Sequence, residues 1–312
     1  MPWDRRIMRR LRLRDLDTLM AVADCGSMAK AAAELSISQP AISKSIADME
    51  HTLGIRLFDR NAQGVEPTLY GRALLKWSTV VFDDLRQGMG EIDLLSDPGA
   101  GEVRIGASEP MLGGFMPKVI DSLARRYPRI SINVVPVSEW TAQVQALRER
   151  TIDAQVGRVP QPLTEDDLHS ERLFNERAYI VAAPTHPMSR RRKLELADLV
   201  DQQWSLPPTA SNVAGKMFAA IFRAQGLEPP KKTITTPAIQ VHCGLLATGR
   251  YLAIFPGSLL QFGLQGMPIK VLPVKLEGET STVGITVLKN RTLGPVTQLF
   301  INCAHNVAKV VK

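Results

Sequence analysis

The sequence predicts an α+β N-terminal segment with a long linker helix, followed by a larger α/β segment. Three observations carry this reading. Between residues 13 and 60, apolar residues recur at helical spacing in short runs broken by glycine. Residues 69–95 hold one longer helical pattern. From residue 102 onward strand and helix patterns alternate, which argues an α/β fold with mostly parallel sheets. Ser96-Asp97-Pro98-Gly99-Ala100-Gly101 breaks the pattern and marks a domain boundary.

Composition sets the outer limits. The chain has 312 residues, room for two domains of about 100–200 residues each. It is 45% hydrophobic and 22% charged, which excludes a long disordered chain or a fibre. Cys25, Cys243 and Cys303 lie far apart with no CxxC, a usage that suits a reducing cytosol and offers no metal framework. The five histidines are scattered without metal-ligand spacing. No apolar run reaches the roughly 18 residues of a membrane span. No apolar core follows the N-terminal arginines, so a signal peptide is not expected and the location expected is cytoplasmic. The extra N-terminal arginines read either as an arm that contacts DNA or, for Arg5 and Arg6, as sequence preceding an alternative start at Met8. The net charge of +7 hints at an anionic partner. Yet residues 1–96 hold 13 basic and 13 acidic side chains, so residue placement, not bulk charge, must locate any nucleic-acid surface.

Taken in order, Leu16, Leu19, Met20 and Ala23 share one face of a first helix, which Gly26 ends. Ser27 caps an alanine-rich second helix, Met28–Leu35, whose small residues let another helix approach closely. Ser36-Ile37-Ser38 is a tight turn with one apolar residue to bury. Ser38 caps a third helix with Pro40 in its first turn, where a missing N–H costs nothing. Ile42, Ile46, Met49 and Leu53 form its buried face, and Gly54 ends it. Short strands are expected at Arg56–Phe58 and Val65–Thr68, with Asn61–Gly64 as the turn. Thr68 caps the long helix. In it, Leu75, Phe82 and Met89 recur every seven residues, as do Ser78, Leu85 and Ile92, a short coiled-coil pattern weakened by Gly88 and Gly90.

The pair of helices at 27–53 forms a helix-turn-helix, which reads DNA by placing the outer face of its second helix in the major groove. Burying Ile42, Ile46 and Met49 leaves Ser38, Gln39, Pro40, Ser43 and Lys44 at the exposed N-terminal end. Gln can bond an adenine edge, Ser a base edge or phosphate, Lys a guanine or phosphate, and Pro can meet a thymine methyl. The helix N-termini at Ser27 and Ser38 present free N–H groups to phosphates. Arg60 in the strand pair reaches toward the backbone or minor groove. Bland readings stand beside these: Ser27 and Ser38 as plain caps, Pro40 as first-turn geometry, Lys44 as solvated, Arg60 paired with Asp59.

Beyond the boundary, strands are expected at Glu102–Ala107, Ile130–Val137, Asp153–Gly157, Tyr179–Ala183, Leu252–Phe255, Ile269–Leu272 and Val283–Leu288. Helices are expected around Phe115–Tyr127 and Trp140–Leu147, and at Leu194–Val200, Val213–Gln225, Gln240–Thr248 and Pro295–Val307.

The stretch Ala21-Val22-Ala23 … Gly26-Ser27-Met28 … Ala31-Ala32 … Leu35 … Ser38-Gln39-Pro40-Ala41-Ile42-Ser43-Lys44 … Leu53-Gly54-Ile55-Arg56-Leu57-Phe58-Asp59-Arg60 resembles the DNA-binding segment of the LysR-type transcriptional regulators. That family's usual Leu-Thr-x-x-Gly reads here Pro67-Thr68-Leu69-Tyr70-Gly71. The resemblance continues through Gly101–Gly106, Leu173-Phe174-Asn175-Glu176, Val181–Pro187, Trp204–Pro208 and Gly249–Pro256, and covers about residues 12–305. Asp153-Ala154-Gln155-Val156-Gly157 departs from the family by placing a polar Gln155 where a strand interior is expected.

The resemblance implies a winged helix-turn-helix at 12–70 and a linker helix and hinge at 71–100. It also implies a two-lobed effector-binding domain, like periplasmic binding proteins, at 101–312. Lobe I would take about 101–170 and 267–312, lobe II about 171–266. Leu75, Phe82, Leu85, Met89 and Ile92 are then expected to dimerise the chain, with dimers pairing into tetramers. A small-molecule effector is expected between the lobes, where strand C-termini and helix N-termini converge with N–H dipoles suited to an anion. Ser108, Ser138, Thr209 and Ser211 are the polar candidates there, and Phe255 and Pro256 an apolar wall. Each polar candidate also reads as a loop residue bonding its own backbone. The partners implied are double-stranded DNA, the effector, further copies of the chain, and RNA polymerase. No cofactor, metal or membrane is expected. An α/β enzyme with an accessory domain is the competing class, but no GxSxG, nucleotide fingerprint or metal motif supports it. A transport binding protein would share the sensor fold, but the attached DNA-reading helix argues against it.

Overall fold

The computed structural model describes residues 10–61, 64–96, 99–208, 213–276 and 280–311. The chain divides into two compact units, residues 1–86 and 87–312.

The first unit is three helices and a hairpin. Helix α1 spans Leu13–Cys25, α2 Met28–Glu34 and α3 Gln39–Leu53. Strands β1 (Phe58–Asn61) and β2 (Gly64–Pro67) pair antiparallel. Leu19, Val22, Ala31, Ile42, Ile46, Met49 and Leu57 form the core, so the periodicity of α3 reads out as its burial. Gly26 and Gly54 take left-handed φ at the ends of α1 and α3, a conformation that costs glycine no Cβ clash. Glu50 accepts from the N–H groups of Leu57 at 2.7 Å and Phe58 at 3.3 Å, tying the hairpin to α3. Ile37 departs from expectation: it is 46% exposed, because Ser36 turns left-handed (φ 55°) and carries the turn outward.

Helix α4 runs from Leu69 to Ser96. Thr68 Oγ1 accepts from the Gly71 N–H at 3.0 Å and donates to the Arg56 carbonyl at 2.8 Å, capping the helix and joining it to the hairpin. A Cβ on Gly71 would run into the Leu57 carbonyl oxygen. Gly71→Ala is therefore expected to destabilise the first unit by about 1–3 kcal/mol, despite alanine's better helix propensity. Urea unfolding followed by circular dichroism checks this; an unchanged or raised midpoint would count against the close approach.

The second unit holds two five-stranded sheets. The first has the order β4-β3-β5-β12-β6, from β3 (Ala100–Ala107), β4 (Arg129–Pro136), β5 (Ala154–Arg158), β6 (Leu168–Glu176) and β12 (Ser281–Leu288). Helices α5 (Glu109–Gly113), α6 (Phe115–Arg126), α7 (Trp140–Arg148) and α11 (Pro295–Ala308) accompany it. Its main core joins Val103, Ile105, Phe115, Val119, Val283, Ile285 and Phe300. The second sheet has the order β11-β7-β10-β8-β9, from β7 (Ala178–Ala182), β8 (Gln203–Leu206), β9 (Thr233–Thr235), β10 (Tyr251–Pro256) and β11 (Lys270–Val271). Helices α8 (Val213–Ala224), α9 (Ile239–Ala247) and α10 (Gly257–Phe262) belong with it. Trp204 is its central side chain, edge-on to Phe218 at 5.1 Å and Phe222 at 5.9 Å.

Three sequence expectations need correction. The sheets are mixed rather than mostly parallel: β3 pairs parallel with β4 and β5, while β12 runs antiparallel to β5 and β6. In the second sheet β10 is parallel to β8 and antiparallel to β7. The lobe boundaries shift as well. Residues 171–176 lie in β6 of the first sheet, so the chain crosses between Glu176 and Ala178, and β11 keeps residues 270–271 in the second sheet. Finally, Leu194–Val200 is no α-helix but holds a short 3-10 turn at Leu196–Leu199. Its buried Leu194, Leu196 and Leu199 lack the spacing of a longer helix.

The second sheet's α10 meets the first sheet's α5–α6 junction backbone to backbone. A Cβ on Gly114 would lie 2.9 Å from Leu259 Cα. A Cβ on Gly263 would strike the Gly113 carbonyl.

Candidate functional site

The first unit leaves its candidate residues exposed or half-buried. Ser27 accepts from the Lys30 N–H and Ser38 from the Ala41 N–H, so both are caps in fact. Gln39, Pro40 and Lys44 are exposed on the first turns of α3, Ser43 is half-buried, and Arg60 is exposed on β1. Burial of Ile42, Ile46 and Met49 turns that row outward. Exposed Ile37, immediately before Ser38, extends it with an apolar group that sequence reasoning had placed inside.

On α4 the apolar side chains divide. Leu75 packs against the core of the first unit, Ser78 is buried and bonds the Leu74 carbonyl, and Phe82 is half-buried. Leu75 is thus partly engaged by its own chain, where the heptad reading expects it to face a second copy. Leu85, Met89 and Ile92 are exposed, and so are Trp77, Val81 and Leu95, which the heptad count passed over. At about 100° per residue, these six side chains fall on one third of the helix circumference.

In the second unit a cleft between the two sheets encloses a cavity of about 90 Å³. Four of the six expected effector residues line it: Ser108, Ser138, Phe255 and Pro256. Thr209 and Ser211 lie outside the described residues. Ser108 opens α5 yet makes no capping bond with its side chain, which leaves its hydroxyl for the cleft. With only five residues, α5 carries little of the expected dipole. Met111, Trp140, Met217 and Ile239 join Phe255 as apolar lining. The Trp140 indole is oriented by donation to Glu165 at 2.8 Å.

The charged residues of the cleft escaped the sequence reading. Arg158 ends β5 and Glu176 ends β6. Arg158 is the one lysine or arginine among the described residues lining the cavity. Its guanidinium stands 3.9 Å from Glu176 Oε2. The Glu176 carboxyl is almost wholly buried and its Oε1 is held by the Ser258 hydroxyl and N–H. Oε2 has no hydrogen-bond partner among the described residues. Burial raises the Glu176 pKa above the usual carboxylate range, against the bonds from Ser258 and the charge of Arg158. Burial likewise lowers that of Arg158. His242 also lines the cleft; its Nδ1 lies 2.7 Å from Ser205 Oγ, and burial lowers its pKa, which keeps it neutral at pH 7.

Gln155 gains a partial explanation. It lies between Gly106 of β3 and Thr286 of β12. A Cβ on Gly106 or Gly157 would crowd its amide, so two missing side chains make the slot it fills. Its amide atoms have no hydrogen-bond partner among the described residues.

Among the described residues no group of His, Cys, Asp and Glu could hold a metal ion, and no helix is long and apolar enough to cross a membrane.

Comparison with known proteins agrees with both halves. Residues 13–72 match the family described as bacterial regulatory helix-turn-helix protein, lysR family. Residues 96–309 match LysR substrate binding domain. The chain is 30% identical over 287 residues to the HTH-type transcriptional regulator GbpR of Azospirillum brasilense, covering 92% of this chain and 83% of that one. It is 28% identical over 265 residues to the HTH-type transcriptional regulator BenM of Acinetobacter baylyi, covering 83% and 86%. The fold is shared with full-length CbnR, solved in complex with its target DNA, at a TM-score of 0.68 and 19% identity, covering 95% of this chain and 100% of that one.

Proposed function

The chain belongs to the LysR family of bacterial transcriptional regulators, and we propose how its own residues divide the work of a DNA-binding, effector-responsive regulator. DNA is read by Gln39, Pro40, Ser43 and Lys44 in the major groove, with Ser27, Ser38 and Arg60 on phosphates. The observation that carries this is the burial of Ile42, Ile46 and Met49, which leaves that row as the outer face of α3. Leu85, Met89 and Ile92, with Trp77 and Val81, form the face on which a second copy packs, and dimers pair into tetramers. Half-sites then lie about 10–10.5 bp apart or a multiple of that. The cleft binds the effector, whose anionic group meets Arg158 and the hydroxyls of Ser108 and Ser138. Occupancy shifts the balance between lobe or subunit arrangements through differential affinity, and with it DNA bending and the access of RNA polymerase. The setting is the cytosol.

Footprinting on the DNA upstream of its own gene, with random competitor at two salt concentrations, tests the reading. A protected stretch of about 50 bp with dyad symmetry is expected, the span of several half-sites at this spacing. Absence of DNA binding at any salt would overturn it. Lys44→Ala is expected to weaken specific binding by about 1–3 kcal/mol if Lys44 reads a base. If it touches only phosphate, specific and random DNA weaken alike and the salt slope becomes shallower. Unchanged binding to both would remove Lys44 from the interface.

A further inference from the structure

The charges that line the cleft constrain the effector more narrowly than an anion. Arg158 supplies one guanidinium, while Glu176 and Glu109 supply two carboxylates. A ligand that brought only negative charge would meet Arg158 with Glu176 close beside it. Arg158 and Glu176 stand 3.9 Å apart, beyond the 2.7–3.2 Å range of a direct hydrogen bond. Glu176 Oε1 is satisfied by Ser258, whereas the buried Oε2 is not hydrogen-bonded by any described residue. A buried acceptor left in this state is costly, and a ligand donor that reaches it recovers that cost. The two groups end strands that flank β12 in the same sheet, and their charged ends stand 3.9 Å apart, so an acceptor on Arg158 and a donor on Glu176 must sit within a few bonds of each other on the ligand.

From this geometry we infer that the effector is a small carboxylate bearing a hydroxyl or ammonium group on the adjacent carbon. Its carboxylate lies on Arg158, its donor on Glu176 Oε2, and its apolar body against Met111, Trp140 and Phe255. The inference rests on the cleft being the effector site.

The test titrates the full-length protein with matched short-chain sets: unsubstituted alkanoates, 2-hydroxyalkanoates, L-2-amino acids and the corresponding 1,2-diols. Tryptophan fluorescence, to which Trp140 in the cleft contributes, and the melting temperature report binding. The hydroxy or amino carboxylates are expected to bind about ten- to hundredfold more tightly than their unsubstituted counterparts, and the diols to bind weakly. Glu176→Gln, which keeps the shape but presents a donor, should abolish that preference while alkanoate binding persists. Arg158→Met should abolish binding of every carboxylate. The preference among the wild-type titrations needs no variant, so a folding defect in Glu176→Gln leaves the test intact. Equal affinity for substituted and unsubstituted acids, lost in Arg158→Met, overturns the inference and keeps the cleft. Failure of every set to bind overturns the inference alone. Tight binding untouched by Arg158→Met overturns both.

Discussion

Replacing Asp153 with alanine is expected to cost the second unit about 3–5 kcal/mol, because it removes the buried carboxylate to which the guanidinium groups of Arg104 and Arg291 are bonded. Asp153 is 1% exposed. One oxygen accepts from the Arg104 backbone N–H at 2.7 Å, and the other from the guanidinium groups of Arg104 at 3.0 Å and Arg291 at 2.5 Å. Arg291 is itself buried and donates to the Ile152 carbonyl. The urea midpoint of this unit should fall with its slope unchanged. Acid supplies an independent check. Burial alone would push the Asp153 pKa up, but the bonds from Arg104 and the charge of Arg291 bring it below its ordinary value. A carboxylate whose folded pKa is depressed stabilises above its unfolded pKa, and the contribution is lost as pH falls through the folded one. Wild type should therefore lose stability below about pH 4, over a range where Asp153→Asn, already weakened, loses less. Parallel acid profiles for the two proteins would show that this carboxylate does not anchor the β3–β5 junction.

Leu85→Asp should separate the dimer into monomers at micromolar concentration. Leu85 lies mid-way along the exposed apolar row of α4 and is 45% exposed in the single chain. Pairing two such rows would bury an unpaired carboxylate from each copy. Light scattering should report the monomer mass. Binding to a dyad site should drop by about 10²–10⁴-fold, the loss expected when two half-site contacts cease to be linked. Binding to an isolated half-site should hold. A wild-type mass for the variant would place the interface elsewhere.

Much of this was legible in the sequence, for identifiable reasons. The spacing of Ile42, Ile46 and Met49 fixed the outer face of α3 because a helix repeats every 3.6 residues wherever it lies. Ile37 misled, since an apolar side chain on a turn has no periodicity to say which way it points. Strand direction was equally silent: alternation of strand and helix does not reveal that β12 returns antiparallel between β5 and β6. Strand β6 itself was hidden by its polar composition, Leu168-His169-Ser170-Glu171-Arg172, at the edge of its sheet. Arg158 and Glu176 are far apart in sequence and resemble any charged residue at a strand end. Only the pairing of both strands with β12 makes them neighbours. On α4 the heptad count found three exposed residues, but Trp77 and Val81 fall on the same face by a four-residue step that a strict seven-residue repeat misses.

The backbone-to-backbone contact at Gly113, Gly114 and Gly263 has a mechanical consequence. Side chains yield by changing rotamer; peptide groups in van der Waals contact do not. The two lobes therefore bear on each other through backbone at this contact, while the cleft is lined by groups from both sheets. Were one lobe to rotate on the other, this contact would leave little room for repacking, because close-packed backbone does not deform continuously. Moving that rotation from 1:99 to 99:1 requires about 5.5 kcal/mol of differential binding. Two charge-assisted hydrogen bonds, each about 1.5–3 kcal/mol, are of that size.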